Sequence, residues 1–93
     1  MIDQKIKKIR NKLDHIDDKL LLIIKKRTSL VNKVIKIKKT KKEIIDKKRI
    51  NSILKRIKEK SIKLKIDPMI SRNIWNAMIK SFIKYEYKNF KKK

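Results

Sequence analysis

Two cations interrupt an otherwise apolar helical pattern near the start of the chain and could hold an anion. Arg27 stands where the pattern requires an apolar residue, and Lys38, about three turns later, returns to nearly the same face. A buried cation is costly unless an anion meets it, so the pattern predicts an anion-binding site. The apolar residues follow steps of three and four; they are Ile2, Ile6, Ile9, Leu13, Ile16, Leu20, Ile23, Leu30, Val34 and Ile37.

Polar side chains also interrupt the apolar stripes of two later segments. Asp46 and Arg49 stand at the start of one segment, and Ser81 and Tyr85 lie on apolar positions of the other. Each has an ordinary structural explanation, such as a surface ion pair or a serine bonded to its own backbone. Together, three cations and one carboxylate predict a pocket for a small anion that carries a hydroxyl.

The residue types restrict the chemistry that such a pocket could perform. The chain has no cysteine and no glycine, hence no thiolate metal site and no glycine-rich phosphate loop. His15 lies among Asp14, Asp17 and Asp18, where an exposed helical histidine is a better explanation than a metal ligand. Any reaction would therefore rest on positioning and electrostatics.

The spacing predicts an all-α fold of three helices, of which the first is very long. The first runs from about Asp3, a suitable N-cap, to Lys38 or Lys39, over about 54 Å. Residues 39–44 read as a polar loop because the apolar pattern lapses there, although continuation of the helix stays open. The second runs from about Ile45 to Leu64. The third begins at Asp67-Pro68, an N-cap and first-turn proline, and ends near Tyr87.

The later stripes and the tail complete this prediction. The second stripe comprises Ile50, Ile53, Leu54, Ile57, Ser61 and Leu64, and the third comprises Ile70, Ile74, Met78, Ser81 and Tyr85. The tail, Lys91-Lys92-Lys93, should fray. We expect one domain over residues 1–93, and a partner chain, because a compact monomer of this size cannot cover so long a helix.

The charge and hydropathy restrict location and partners. No apolar run approaches the length of a membrane span, and the first apolar residues are interleaved with charge, unlike a signal peptide. We expect a soluble, cytoplasmic protein. The net charge is +22, but the 26 lysines and 19 isoleucines are typical of an A/T-biased coding sequence and are spread along the whole chain. Weak nonspecific polyanion binding is expected as a side effect.

The chain resembles the all-helical class of chorismate mutase from about Ile6 to Tyr85. The matching segments are 9–17, 20–27, 34–38, 45–49 and 75–81, and they include the ionic positions Arg10, Arg27, Lys38, Asp46 and Arg49. The resemblance implies an intertwined homodimer whose long first helices cross, with two active sites. It also implies rearrangement of chorismate to prephenate, toward phenylalanine and tyrosine, without cofactor or metal.

The resemblance also implies a role for each matching residue. Arg27 of one chain and Arg10 of the other would hold the two substrate carboxylates, and Lys38 would contact the ether oxygen and a carboxylate. Arg10 and Arg27 lie roughly 100° apart around one helix, which agrees with two chains sharing a site. By position, Asp46 would accept a hydrogen bond from the ring hydroxyl, and Arg49 would brace the Asp46 carboxylate. Ser81 would bond to a substrate carboxylate.

Two positions depart from the family pattern. A glutamate commonly follows the arginine matched by Arg49, whereas this chain has Ile50. A glutamine or glutamate commonly lies one turn after the serine and donates to the ether oxygen, whereas this chain has Tyr85; Glu86 is about 140° from the direction of Ser81. These departures predict a working but weakened mutase with Lys38, Arg27 and Tyr85 as catalytic residues.

Two other functions fit parts of the pattern. Isochorismate-pyruvate lyase, on the same fold, is compatible with Ile50, although Asp46 and Ser81 favour the mutase. A non-catalytic basic helical dimer that binds nucleic acid or a protein would explain the charge and both departures. It would not explain why all five ionic positions are retained.

Overall fold

The computed structural model describes residues 3–91, and within them every regular element is helical. The elements are α1 (Gln4–Ile37), a single 3₁₀ turn (Lys41–Glu43), α2 (Lys47–Lys63) and α3 (Pro68–Asn89). This confirms the predicted all-α class and the long first helix. Ile2, at the start of the predicted stripe, and Lys92 and Lys93, at the end of the tail, lie outside the described residues.

The start of α1 is fixed by the predicted cap. The Lys5 backbone N–H donates to Asp3 Oδ1 at 2.9 Å, and the Lys7 N–H donates to the Asp3 carbonyl at 3.1 Å. The first bond satisfies a donor that a helix start leaves without an intrahelical partner, and the second is the first regular backbone bond of the helix. At 34 residues α1 is about 51 Å long. Within residues 3–91, no helix is both long and apolar enough to cross a membrane.

The chain leaves the α-helical conformation between α1 and α2, which confirms the predicted break. The second helix begins two residues later than its pattern suggested. The reason is that Asp46 is the N-cap: its backbone is extended and its Oδ1 accepts the Arg49 N–H at 3.0 Å. The first helical residue is therefore Lys47.

Contacts within the chain divide it into two compact units, Met1–Asn32 and Lys33–Lys93. The first is the greater part of α1, and Gln4 to Lys26 are all solvent-exposed. The second contains the α2–α3 hairpin. A single domain over the whole chain stays a prediction.

The core of the second unit lies between α2 and α3. Ile53 and Ile57 of α2 pack against Ile79 of α3, and the partly buried residues around them are Ile50, Leu54, Trp75 and Ile83. The α2 residues are those of its predicted stripe, apart from Leu64, which is exposed. In residues 3–91 every buried hydrophobic side chain is isoleucine, the last two being Ile35 and Ile44.

The face of α3 that packs within the chain is turned from the predicted one. Ser71 and Ile79 are buried, whereas Ile70 and Ile74 are 56% and 50% exposed. Met78 of the predicted stripe is half-buried. The predicted stripe and the packed face differ by one residue, or about 100° of rotation. Helix α3 therefore has a second apolar side that α2 does not cover.

The connection from α2 to α3 uses a left-handed residue without glycine. Lys65 has φ 58°, the Ile66 N–H donates to the Ser61 carbonyl at 2.9 Å, and the Lys65 N–H donates to the Ile62 carbonyl at 3.2 Å. This pair of bonds is the Schellman arrangement of a helix end, where glycine is usual. Helix α3 then starts at the predicted cap, since the Met69 N–H donates to Asp67 Oδ1 at 2.9 Å.

Lys65→Gly should raise the free energy of unfolding by about 1 kcal/mol, because glycine has no Cβ to oppose a positive φ. Urea denaturation followed by circular dichroism measures the change. Lys60→Gly, on an exposed position inside α2, is the matched control and should lower stability by a similar amount. Destabilisation by both variants would contradict the assignment of strain to residue 65.

Candidate anion-binding site

The predicted site residues are divided between the two units. Arg10 and Arg27 lie on α1 in the first unit, and the remainder, Lys38, Asp46, Arg49, Ser81 and Tyr85, belong to the second. Arg10 is exposed and Arg27 is half-buried. Seventeen residues of helix separate them by about 26 Å. One small anion cannot meet both arginines of the same chain.

Lys38 forms an ion pair with Glu86, a residue that lies outside the predicted stripe of α3. Its Nζ lies 3.1 Å from Oε1 of Glu86, and the two side chains are 20% and 11% exposed. Lys38 sits directly after the last residue of α1, where its N–H donates to the Val34 carbonyl at 3.0 Å. The prediction that Lys38 needs an anion is therefore met within the chain, in partial burial that strengthens the attraction.

Glu86 reaches Lys38 because it lies on the packed face of α3. Ser71, Trp75 and Ile79 precede it at steps of four, and Phe82 lies one turn before it. A carboxylate at an apolar position of α3 indicates a partly buried charge, as Arg27 does at an apolar position of α1. The signal was missed because the stripe of α3 was assigned one residue away. The rotation also explains why Ser81 is exposed while Glu86 is buried.

The Asp46 side chain contacts the backbone of Arg49, and the two side chains do not meet in this bond. Asp46 Oδ1 accepts the Arg49 N–H as the cap of α2, and both side chains are exposed. Because the cap uses one carboxylate oxygen, the second can accept a hydroxyl from a ligand. The dipole of α2 adds positive potential beside this carboxylate.

Tyr85 is half-buried and packs edge-on against an aromatic neighbour. Its ring centroid lies 6.2 Å from that of Phe82, with an interplanar angle of 74°. Its role at the site stays a prediction. Among the described residues, no three histidine, cysteine, aspartate or glutamate side chains come together in a way that could hold a metal ion.

A double-mutant cycle should show that Lys38 and Glu86 stabilise the fold jointly. We expect Lys38→Met and Glu86→Gln together to cost less than the sum of the single changes, with a coupling free energy of about 1 kcal/mol. Chemical denaturation of the four proteins measures it. The parallel cycle of Lys58→Met and Glu59→Gln, neighbouring exposed residues of α2, is the control and should show no coupling. Additive effects at Lys38 and Glu86 would mean that the pair contributes nothing.

A family model described as chorismate mutase type II matches residues 9–87. The match includes every predicted site residue as well as Glu86. No curated protein and no solved structure matches the chain.

Proposed function

Because the chain belongs to the chorismate mutase type II family, it is an isomerase that converts chorismate to prephenate, and we propose that Lys38 and Glu86 mark the reacting centre. The reaction belongs to the shikimate pathway and aromatic amino acid biosynthesis. The observation that supports this placement is the part-buried contact between Lys38 and Glu86, which joins the end of α1 to α3. The family match favours neither the lyase nor the non-catalytic dimer.

The reaction explains why cations without a nucleophile suffice. Chorismate rearranges in one unimolecular step, in which the ether C–O bond breaks, a C–C bond forms and all atoms stay in the product. Negative charge grows on the ether oxygen as the bond breaks. An ammonium fixed there stabilises the transition state without reorganising solvent, and we assign this contact to Lys38.

The substrate dianion must also be held in a compact conformation. Guanidinium groups bind carboxylates through two parallel hydrogen bonds, which restricts rotation more than a point charge does. We assign the two substrate carboxylates to Arg27 of one chain and Arg10 of its partner. Asp46, braced by Arg49, accepts the ring hydroxyl, and Ser81 donates to a carboxylate.

We infer that Glu86, in place of Tyr85, fills the position beside the ether oxygen. A carboxyl group donates a hydrogen bond only when it is protonated, and an ionised carboxylate there would repel the developing charge. The carboxylate would also offset part of the positive charge of the Lys38 ammonium. The resulting mutase is slower than one with an amide at this position, in agreement with the weakened activity that the sequence predicts.

Glu86→Gln should raise kcat at pH 7 by about tenfold, because the amide donates to the ether oxygen and no longer neutralises Lys38. Conversion of chorismate, followed by its loss of absorbance, measures the rate. Tyr85→Phe is the control and should leave kcat unchanged. The reverse result, a loss in Tyr85→Phe and no gain in Glu86→Gln, would return the ether contact to Tyr85.

We propose that the working form is a homodimer. The α1 residues Ile9, Leu13 and Ile16 are 58%, 51% and 58% exposed and share one helix face. The side of α3 that carries Ile70 and Ile74 is also exposed. Exposed apolar helix faces of this kind favour association, and a second copy provides matching ones. Such a dimer also supplies the second arginine that one α1 cannot deliver.

Arg27→Ala and Arg10→Ala should each abolish turnover while leaving helicity intact, because each removes a carboxylate contact from both sites. Refolding an equal mixture of the two variants tests the shared site. Half of the dimers are mixed, and each has one intact site, so about a quarter of the parental activity should return. No recovery would overturn the shared site. Absence of parental turnover would overturn the proposed reaction.

Two sequence-based predictions stay open beside this function. Weak polyanion binding is supported by the exposed lysines along α1 and α2, which would bind phosphates without sequence preference. The cytoplasmic location rests on the sequence alone.

A further inference from the structure

The segment between Lys38 and Asp46 connects two proposed substrate contacts. Lys38 follows the last residue of α1, and Asp46 caps α2. The segment contains neither glycine nor proline, so no special residue type determines its turn. Hydrogen bonds within the segment therefore hold the backbone that separates Lys38 from Asp46.

Glu43 provides such contacts from the end of the 3₁₀ turn. Its Oε2 accepts the backbone N–H of Lys39 and, at 3.3 Å, that of Thr40. The Glu43 N–H donates in return to the Thr40 carbonyl at 3.2 Å. These bonds close a ring directly after Lys38. The next residue, Ile44, is 4% exposed and anchors the turn on its apolar side.

The charges around the turn favour the ionised form of this carboxylate. Lys38, Lys39, Lys41 and Lys42 bring four cations into five residues, and Glu43 is the one acidic residue between Lys38 and Asp46. Bonds from the Lys39 and Thr40 N–H groups, aided by the Lys39 and Lys38 charges, lower the pKa of Glu43 below its usual 4.5. The carboxylate is therefore ionised at neutral pH and offsets the mutual repulsion of the lysines.

We propose that Glu43 is a positioning residue of the mutase site: its carboxylate fixes the backbone between Lys38 and Asp46, and with it the spacing of the ether-oxygen and ring-hydroxyl contacts. This inference rests on the proposed function, since it assigns Glu43 no contact with substrate. Displacing a reacting group by about 1 Å can cost a hundredfold in rate. A loosened turn therefore affects the transition state more than the ground state.

Glu43→Ala should lower kcat about tenfold or more and change KM less, because the contact between Lys38 and the ether oxygen strengthens as the bond breaks. Glu43→Gln should restore most of kcat, since its amide oxygen can accept the same two N–H groups. Glu59→Ala, which removes an exposed carboxylate from α2, is the matched control and should equal the parent. All variants are assayed at a temperature where their helicity equals that of the parent.

Amide chemical shifts in the intact protein test the contacts without an activity assay. As pH falls through the lowered pKa of Glu43, its carboxylate protonates, and the charge-assisted bonds that are present above that pH weaken. The Lys39 and Thr40 amide signals should therefore titrate together with a midpoint below 4.5. They should not titrate in Glu43→Gln.

The outcomes separate the inference from the function on which it rests. An active parent with an equally active Glu43→Ala variant, or amides that do not titrate, overturns the positioning role alone. A fall in kcat that Glu43→Gln does not restore overturns the hydrogen-bonding role of the carboxylate. A parent without turnover overturns the proposed reaction and the inference with it.

Discussion

The fold depends on how nine carboxylates are distributed among 31 basic residues. Five of the nine make contacts that define the backbone or a charge pair: Asp3, Asp46 and Asp67 cap the three helices, Glu43 closes the turn after α1, and Glu86 pairs with Lys38. In a chain with no glycine and one proline, these acidic side chains define helix ends and a turn, which glycine and proline usually define. The surplus of cations is then available for an anionic ligand.

That surplus and the mutase reaction fit each other physically. The substrate brings two carboxylates, and the reaction adds negative charge to the ether oxygen, so a site with excess positive charge stabilises both states. Specificity then comes from geometry, because lysines occur along the whole chain and only fixed cations distinguish the transition state from other anions. The contacts that fix the backbone around Lys38 therefore matter as much as the charge itself.

The sequence predicted most of the architecture and singled out Lys38, but it did not predict the pairing of Lys38 with Glu86. Caps at Asp3 and Asp67, the break after α1 and the stripe of α2 follow from local patterns, because each depends on a few neighbouring residues. The face of α3 does not, since apolar residues such as Ile74 and Ile79 lie on two of its sides, and the choice between them is made by packing against α2. Because the predicted face of α3 is rotated by one residue from the packed face, the sequence does not identify Glu86 as a buried residue.

The pair of Lys38 and Glu86 illustrates a conflict between stability and catalysis. Without Glu86, the partly buried ammonium of Lys38 would be left without an anion in the ligand-free chain, at a cost to folding. With it, in the proposed site, a carboxylate stands beside the oxygen on which the reaction develops negative charge. The hydrophobic core in residues 3–91 consists of five isoleucines, so little packing energy is available to tolerate an unpaired cation. A small fold of this kind therefore favours retaining the glutamate, and the slower reaction that we propose follows from it.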